Sequence, residues 1–198
     1  MTGRLQHPAC GAASDATALP AGVALRVARA SDVDRLARFL AGLSLQSAYR
    51  RFFTVLSRPS RAFALRLLEL DHDRREAIVA VAGDEIVGFA DSSRSDDEPD
   101  LVEIGVVVAD AWQRRGLGPR LARSVLDLAM RRGATIMRAH SLAENEVVTR
   151  MLRRSWPAAR GRREGTVLVW EVPLRTEVAG APAGAMIRNG WRDRCGAG

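Results

Sequence analysis

The run Val106-Val107-Val108-Ala109-Asp110-Ala111-Trp112-Gln113-Arg114-Arg115-Gly116-Leu117-Gly118-Pro119 constrains this chain more than any other stretch of it. Leu101 to Ala109 is nearly all apolar, as expected of a strand covered on both faces and therefore central in its sheet. Beyond a turn with two glycines, Pro119 to Arg132 places Leu121, Val125, Leu128 and Ala129 on one side and Arg120, Arg123, Arg131 and Arg132 on the other, the pattern of an amphipathic helix that Gly133 ends. Such a turn aims free backbone N–H groups at one point, and the positive end of the helix dipole adds to them. The result is a cradle for a pyrophosphate. Gly116 and Gly118 let the backbone approach it without side-chain interference, and Arg114 and Arg115 can add charge-assisted contacts. The sequence contains no Lys and no Rossmann glycine triplet, so neither a P-loop NTPase nor a dinucleotide site fits the pattern.

The rest of the chain alternates strand and helix around this unit. Val23 to Ala28 reads as a strand, and Ser31-Asp32 as the N-cap of a helix carrying Val33, Leu36, Phe39 and Leu40. Further helices are expected from Leu45 to Phe53 and from Pro59-Ser60 to Leu70. Ala77 to Ala82 and Glu85 to Ser92, separated by Gly83-Asp84, form a hairpin, and Ser95 to Asp100 is an acidic loop. Ile136 to His140 is a strand, Asn145 to Arg154 a helix, and Thr166 to Val172 a last strand after an Arg/Gly loop. This alternation makes the class α/β or α+β. With 198 residues and 47% hydrophobic content, one domain is expected over residues 23–175, between flexible tails at 1–22 and 176–198.

Composition bounds the partners. All 30 basic residues are Arg and the net charge is +7, which suits phosphates or acidic partners. Aromatic content of 5% and the lack of any zinc-finger, basic-heptad or RNA-binding-strand pattern weigh against nucleic acid. Cys10 and Cys195 are too few and too peripheral for a disulfide framework or a metal site, so no metal is expected. No membrane-length apolar run and no signal-peptide core is present, and the expected location is cytoplasmic.

Gln113, Gly116 and Gly118 fill a Gln/Arg-x-x-Gly-x-Gly/Ala pattern that resembles the cofactor motif of the GCN5-related N-acetyltransferase (GNAT) family. The setting matches too: an apolar strand and Asp110 before the turn, a helix after it, then a strand and Leu142-Ala143-Glu144-Asn145. The resemblance covers about residues 24 to 174. It implies a mixed, mostly antiparallel central sheet flanked by helices, with a splayed strand pair at the site of the co-substrate acetyl-CoA. It also implies that Gly105 to Val108 pair through their backbone with the pantetheine arm, as an added strand would. The cofactor-binding set is then Val106, Val107, Val108, Gln113, Arg114, Arg115, Gly116, Leu117, Gly118, Pro119 and Asn145, the last near the pantetheine.

The chemistry implied is direct attack of a primary amine on the thioester in a ternary complex, since neither Cys lies near the motif. An amine arrives protonated, so a base is needed. Several family members carry a Glu on this strand, where Glu103 stands, and partial burial beside Leu101 and Ile104 would raise its pKa. Many relatives place a proton-donating Tyr seven residues after the motif Asn; here that position is Leu152, and no general acid is assigned. Tyr49 is expected to pack or to line the acceptor cleft, and His72 and His140 are further proton-transfer candidates, although a lone His is more often structural. The family's Gly-Phe pair is replaced by Ser155-Trp156-Pro157. These losses favour a second reading, a catalytically weak or inactive acetyl-CoA-binding regulatory module, while Glu103 and the intact turn favour an enzyme.

Ser44 to Phe53 (SLQSAYRRFF) and Leu70-Asp71-His72-Asp73 resemble the GNAT domain of bacterial protein lysine acetyltransferases. A protein lysine is therefore one expected acceptor and a small-molecule amine the other. Asp96, Asp97, Glu98 and Asp100 could attract a cationic acceptor. Pairing into a homodimer is common in the family and is a further expectation.

Overall fold

A computed structural model describes residues 19–55 and 59–174. Seven strands form one sheet in the order β1-β2-β3-β4-β5-β7-β6. They are β1 (Val23–Val27), β2 (Arg75–Ala82), β3 (Glu85–Ser93), β4 (Leu101–Val108), β5 (Ile136–Leu142), β6 (Arg160–Glu164) and β7 (Val167–Pro173). Every neighbouring pair is antiparallel except β4 and β5, which are joined by the helix α4 (Leu117–Arg131) and run parallel. A parallel pair needs such a crossover, and this one places the glycine turn at the end of the central strand.

Both faces of the sheet are packed by helices. On one face α1 (Val33–Ala41) and α3 (Arg61–Leu67) bury Leu36, Phe39, Leu40 and Ala64 against Val79, Phe89 and Val107, and α2 (Leu45–Phe52) adds Phe52, which meets Phe63 edge-on at 5.2 Å. On the other face Leu117, Leu121 and Val125 of α4 cover Ile78, Ala80 and Ala90. Beside α4, α5 (Glu146–Ser155) packs Leu152 with Met137, Trp170 and Val172. The apolar spacing of α4 therefore does what the sequence implied: one stripe goes into the core and its arginines to the surface. No helix among the described residues is long and apolar enough to cross a membrane.

Three local readings change. The Arg/Gly segment before the last strand is itself a strand, β6, exposed along its whole length and held by antiparallel pairing to β7 from Arg160↔Glu171 to Glu164↔Val167. Its charged residues carry no apolar alternation, as is usual for an edge strand, and so no strand signal. Asp32 does not cap α1 with its side chain; a 3-10 turn over Ala30–Asp32 precedes the helix, and the buried carboxylate accepts from Arg26 at 2.6 and 2.7 Å and from the Arg29 N–H at 2.9 Å. Third, α4 begins at Leu117, two residues before Pro119, because left-handed Gly116 is its N-cap. The expected tails lie outside the described residues apart from Leu19–Gly22, as do Cys10, Trp191 and Cys195.

Candidate active site

The parallel ladder between β4 and β5 runs only from Leu101↔Ile136 to Ile104↔Ala139. Beyond it each strand keeps its outer partner: Gly105 to Val108 stay paired with Asp91 to Gly88 on β3, and His140 to Leu142 with Val169 to Val167 on β7. The two central strands therefore part at Gly105, and a cavity of about 830 Å³ opens between them. Glu103 to Val108 form one wall, and His140, Ser141, Asn145 and Leu152 lie on the other. The expected splay is present, set by the register.

The glycine turn closes one end of this cavity. A 3-10 turn over Asp110–Trp112 leads to Arg114 and Gly116, with φ of 58° and 78°. A left-handed conformation is costly for Arg, and such strain is kept where the surrounding structure demands it. Successive turns of this kind bring main-chain N–H groups to a common side, and those of Leu117 and Gly118 have no acceptor within their own helix. Gly116, Gly118, Pro119 and Arg114 line the cavity. A Cβ on Gly116 would meet nothing within 4 Å. Leu117, by contrast, is fully buried in the core and offers only its backbone. Arg115 stacks on Trp112, its guanidinium carbon 5.1 Å from the ring centroid.

The turn is tied to α2 by a polar network that the sequence does not reveal. Asp110 accepts from the Ser44 N–H at 3.0 Å and from the hydroxyls of Ser44 and Ser47, each at 2.7 Å. Gln113 donates from Nε2 to the Ser47 hydroxyl at 2.9 Å and to the Val108 carbonyl at 3.1 Å. Its side chain thus braces the turn, although it also lines the cavity. Burial would push the Asp110 carboxyl up, but the hydrogen bonds from Ser44 and Ser47 outweigh it and hold the group below the usual carboxylate range. The only local signal for this network is Ser44-x-x-Ser47, which reads as a helix start: Ser44 caps α2 by accepting the Ser47 N–H.

Alternation along the strands distributes the other candidates. Glu103 and Gly105 share the face packed by α1–α3 with their β3 partners Ser93 and Asp91. Arg51 of α2 reaches across this face, pairs with Asp91 and lies against Gly105, where a Cβ would run into the guanidinium. Val107 points the same way and is buried in the core, whereas Val106 and Val108 turn toward α4. Across the cavity Asn145 is the buried N-cap of α5, its Oδ1 accepting the Val148 N–H at 3.4 Å. Leu152, only 2% exposed, lines the cavity from α5 and carries no hydroxyl. Trp156 packs beside it as the C-cap of α5, which stops at Ser155 before Pro157, yet β7 pairs with β5 over seven residues, so the loss of Gly-Phe leaves the C-terminal strands in place.

Several candidates fall elsewhere. His140 lines the cavity, but His72 lies outside it and bonds to Glu76 at 3.0 Å, which also takes Arg132 at 2.9 Å. Tyr49 is 43% exposed and is not part of the cavity wall. The acidic loop is partly neutralised, with Asp96 on Arg74 and Glu98 on Arg138. It borders a separate hollow of about 240 Å³ at the opposite end of β4.

Comparison with known proteins agrees with this geometry. A family model described as the acetyltransferase (GNAT) family matches residues 43–156, more than half of the chain. Among solved structures the chain is similar to the GNAT domain of S. lividans PAT, with 25% identity over 76% of this chain and 89% of that one and a TM-score of 0.70. It has the fold of yncA from Salmonella typhimurium, solved with its cofactor acetyl-CoA, at 19% identity over 82% and 99% of the two chains and a TM-score of 0.61. It also resembles a cAMP-binding acyltransferase from Mycobacterium smegmatis at 25% identity and a TM-score of 0.53, covering 80% of this chain but 46% of that one. A sequence comparison with curated proteins gives no match. The splayed β4–β5 pair, the glycine turn at its mouth and the family match together establish that this chain belongs to the acetyltransferase (GNAT) family.

Proposed function

We propose that the protein transfers an acetyl group from acetyl-CoA to a primary amine by direct attack within a ternary complex. The observation that carries this reading is the parting of β4 and β5 at Gly105, with a left-handed glycine turn at the end of β4. In this reading the N–H groups from Arg114 to Gly118 take the pyrophosphate, with the Arg114 side chain beside it. The pantetheine arm lies along the open edge of Val106 to Val108, opposite Asn145, and brings the thioester toward Gly105. Pro119 supplies no N–H and starts the helix at a fixed φ, while Gln113 holds the turn rather than the ligand.

Glu103, two residues before the parting, takes the proton from the incoming ammonium, directly or through water. The neutral amine attacks the thioester carbonyl, and collapse of the tetrahedral intermediate expels the thiolate. With Leu152 where many relatives have Tyr, that thiolate takes up, through water, the proton that the nitrogen gives off as the amide forms. The same substitution favours the second reading, an acetyl-CoA-binding module with little or no turnover. The amine is either a protein lysine, which the likeness to the PAT domain supports, or a small molecule.

Calorimetry with acetyl-CoA on wild type and on Gly116→Trp, paired with thiol release on a panel of amines and Lys peptides, tests this. A Cβ at 116 meets nothing within 4 Å but sits at a φ of 78° that strains any side chain, so the variant is expected to fail to bind, with its fold checked by circular dichroism. Binding with thiol release supports the enzyme. Binding without release on any acceptor moves the sensing module ahead, and no binding by wild type removes both readings.

A further inference from the structure

Among the described residues, the buried side-chain polar atoms without a hydrogen-bond partner are Arg50 Nε and Arg51 Nε. Both belong to α2 and both side chains line the cavity. Neither Nε is reachable from the cavity, so it is through the terminal nitrogens of the two guanidinium groups in the cleft wall that an anionic group entering it can be met. Arg51 is held where this matters. Its guanidinium rests on Gly105, the first residue past the parallel ladder, and the missing Cβ of that glycine is what lets it reach the strand.

The charges on this face are arranged in sequence. Asp91, opposite Gly105, is already paired with Arg51. Glu103 lies two residues away on the same face of β4, roughly 6.5–7 Å along the strand. With Asp91 and Arg51 paired to each other, a simple cationic amine, or the end of a lysine side chain, would meet the Glu103 carboxylate and the Arg50 guanidinium. An amine with a carboxylate of its own matches the set: its nitrogen lies toward Glu103 and its carboxylate lies on Arg50 and Arg51, whose planar forks suit that group.

We propose that the acceptor is a free amino acid, or a similar small amine with a carboxylate two or three bonds from its nitrogen, held through Arg50 and Arg51. The proposal rests on the acetyltransferase reading and selects within it a small zwitterion rather than a protein lysine.

The test is thiol release from acetyl-CoA with each standard amino acid, run beside decarboxylated counterparts such as L-leucine against isoamylamine and L-lysine against cadaverine, and beside a Lys peptide. An amino acid is expected to be preferred over its amine in kcat/KM by about 10- to 100-fold, the worth of a lost charge-assisted contact. Arg50→Gln should raise KM for that amino acid by about the same factor and leave the amine unaffected. Arg51→Lys, which keeps a charge opposite Asp91, should do likewise if Arg50→Gln perturbs α2. Acetyl-CoA affinity, read by calorimetry, should be unchanged in both. Equal or better use of the amine or the Lys peptide overturns the proposal, as does an unchanged KM in both variants or thiol release with no amino acid despite tight acetyl-CoA binding. Failure of wild type to bind acetyl-CoA would instead remove the acetyltransferase reading itself.

Discussion

The carboxylate of Asp110, at the start of the glycine turn, accepts the hydroxyl of Ser44, the N-cap of α2, at 2.7 Å across 66 residues of sequence. With Ser47 and Gln113 it joins the glycine turn to the helix that carries Arg50 and Arg51. The turn and α2 are therefore mechanically connected, and in the proposed reading so are the sites of the two substrates. Asp110→Ala removes the shared acceptor and leaves three donors without it. Because the donors can turn to water, the expected loss is about 1–1.5 kcal/mol in urea unfolding, together with weaker acetyl-CoA binding by calorimetry. A loss below about 0.5 kcal/mol, typical of an ordinary surface substitution, would show that the network is incidental.

Acid should weaken the fold through three carboxylates. Asp71 is held at about 2 by the backbone N–H groups of Arg75, Asp73 and Arg74. Asp32 lies below its ordinary value chiefly through the Arg26 side chain, with burial opposing, and Asp110 lies below it because the serine donors exceed the cost of burial. A carboxylate with a depressed folded pKa contributes stability above its unfolded value, about 3.9, and loses it as pH falls through the folded value. Unfolding free energy should thus be flat near pH 6 and decline from about pH 4 toward about 2. In Asp71→Asn this decline should be shallower, and an identical slope in the variant would rule out Asp71 as a contributor.

Glu103→Gln preserves shape and removes the base. The expected result is a kcat lower by about 10²- to 10⁴-fold with acetyl-CoA affinity unchanged, measured by thiol release and calorimetry. An unchanged kcat would reduce Glu103 to a solvated strand residue.

Gly105→Ala drives a methyl group into the Arg51 guanidinium. Overpacking of this kind costs about 1–3 kcal/mol. Removing the guanidinium should relieve it, so Gly105→Ala should be milder in an Arg51→Ala background, and additivity in that cycle would disprove the contact.

Much of the molecule was legible because its signals are local. A glycine turn between an apolar strand and an amphipathic helix announces its own geometry, and the hairpin from β2 to β3 follows from Gly83-Asp84 between two apolar runs. β6 was not legible, because its order comes from seven-strand context rather than from its five charged or small residues. Nor was the Asp32–Arg26 pair, which displaced a capping role that the local sequence favoured equally well.

At the site the division is the same. Sequence by itself determined the glycine turn, since φ > 0 at 116 favours glycine, and it put Glu103 on the strand leading there. Only tertiary structure decided where the ladder stops, which face Glu103 shares, that Ser44 and Ser47 meet Asp110, and that Arg51 meets Asp91. Turn and helix geometry depend on neighbours a few residues away. Register and side-chain charge pairing depend on partners tens of residues distant, and no local pattern encodes which of them will meet.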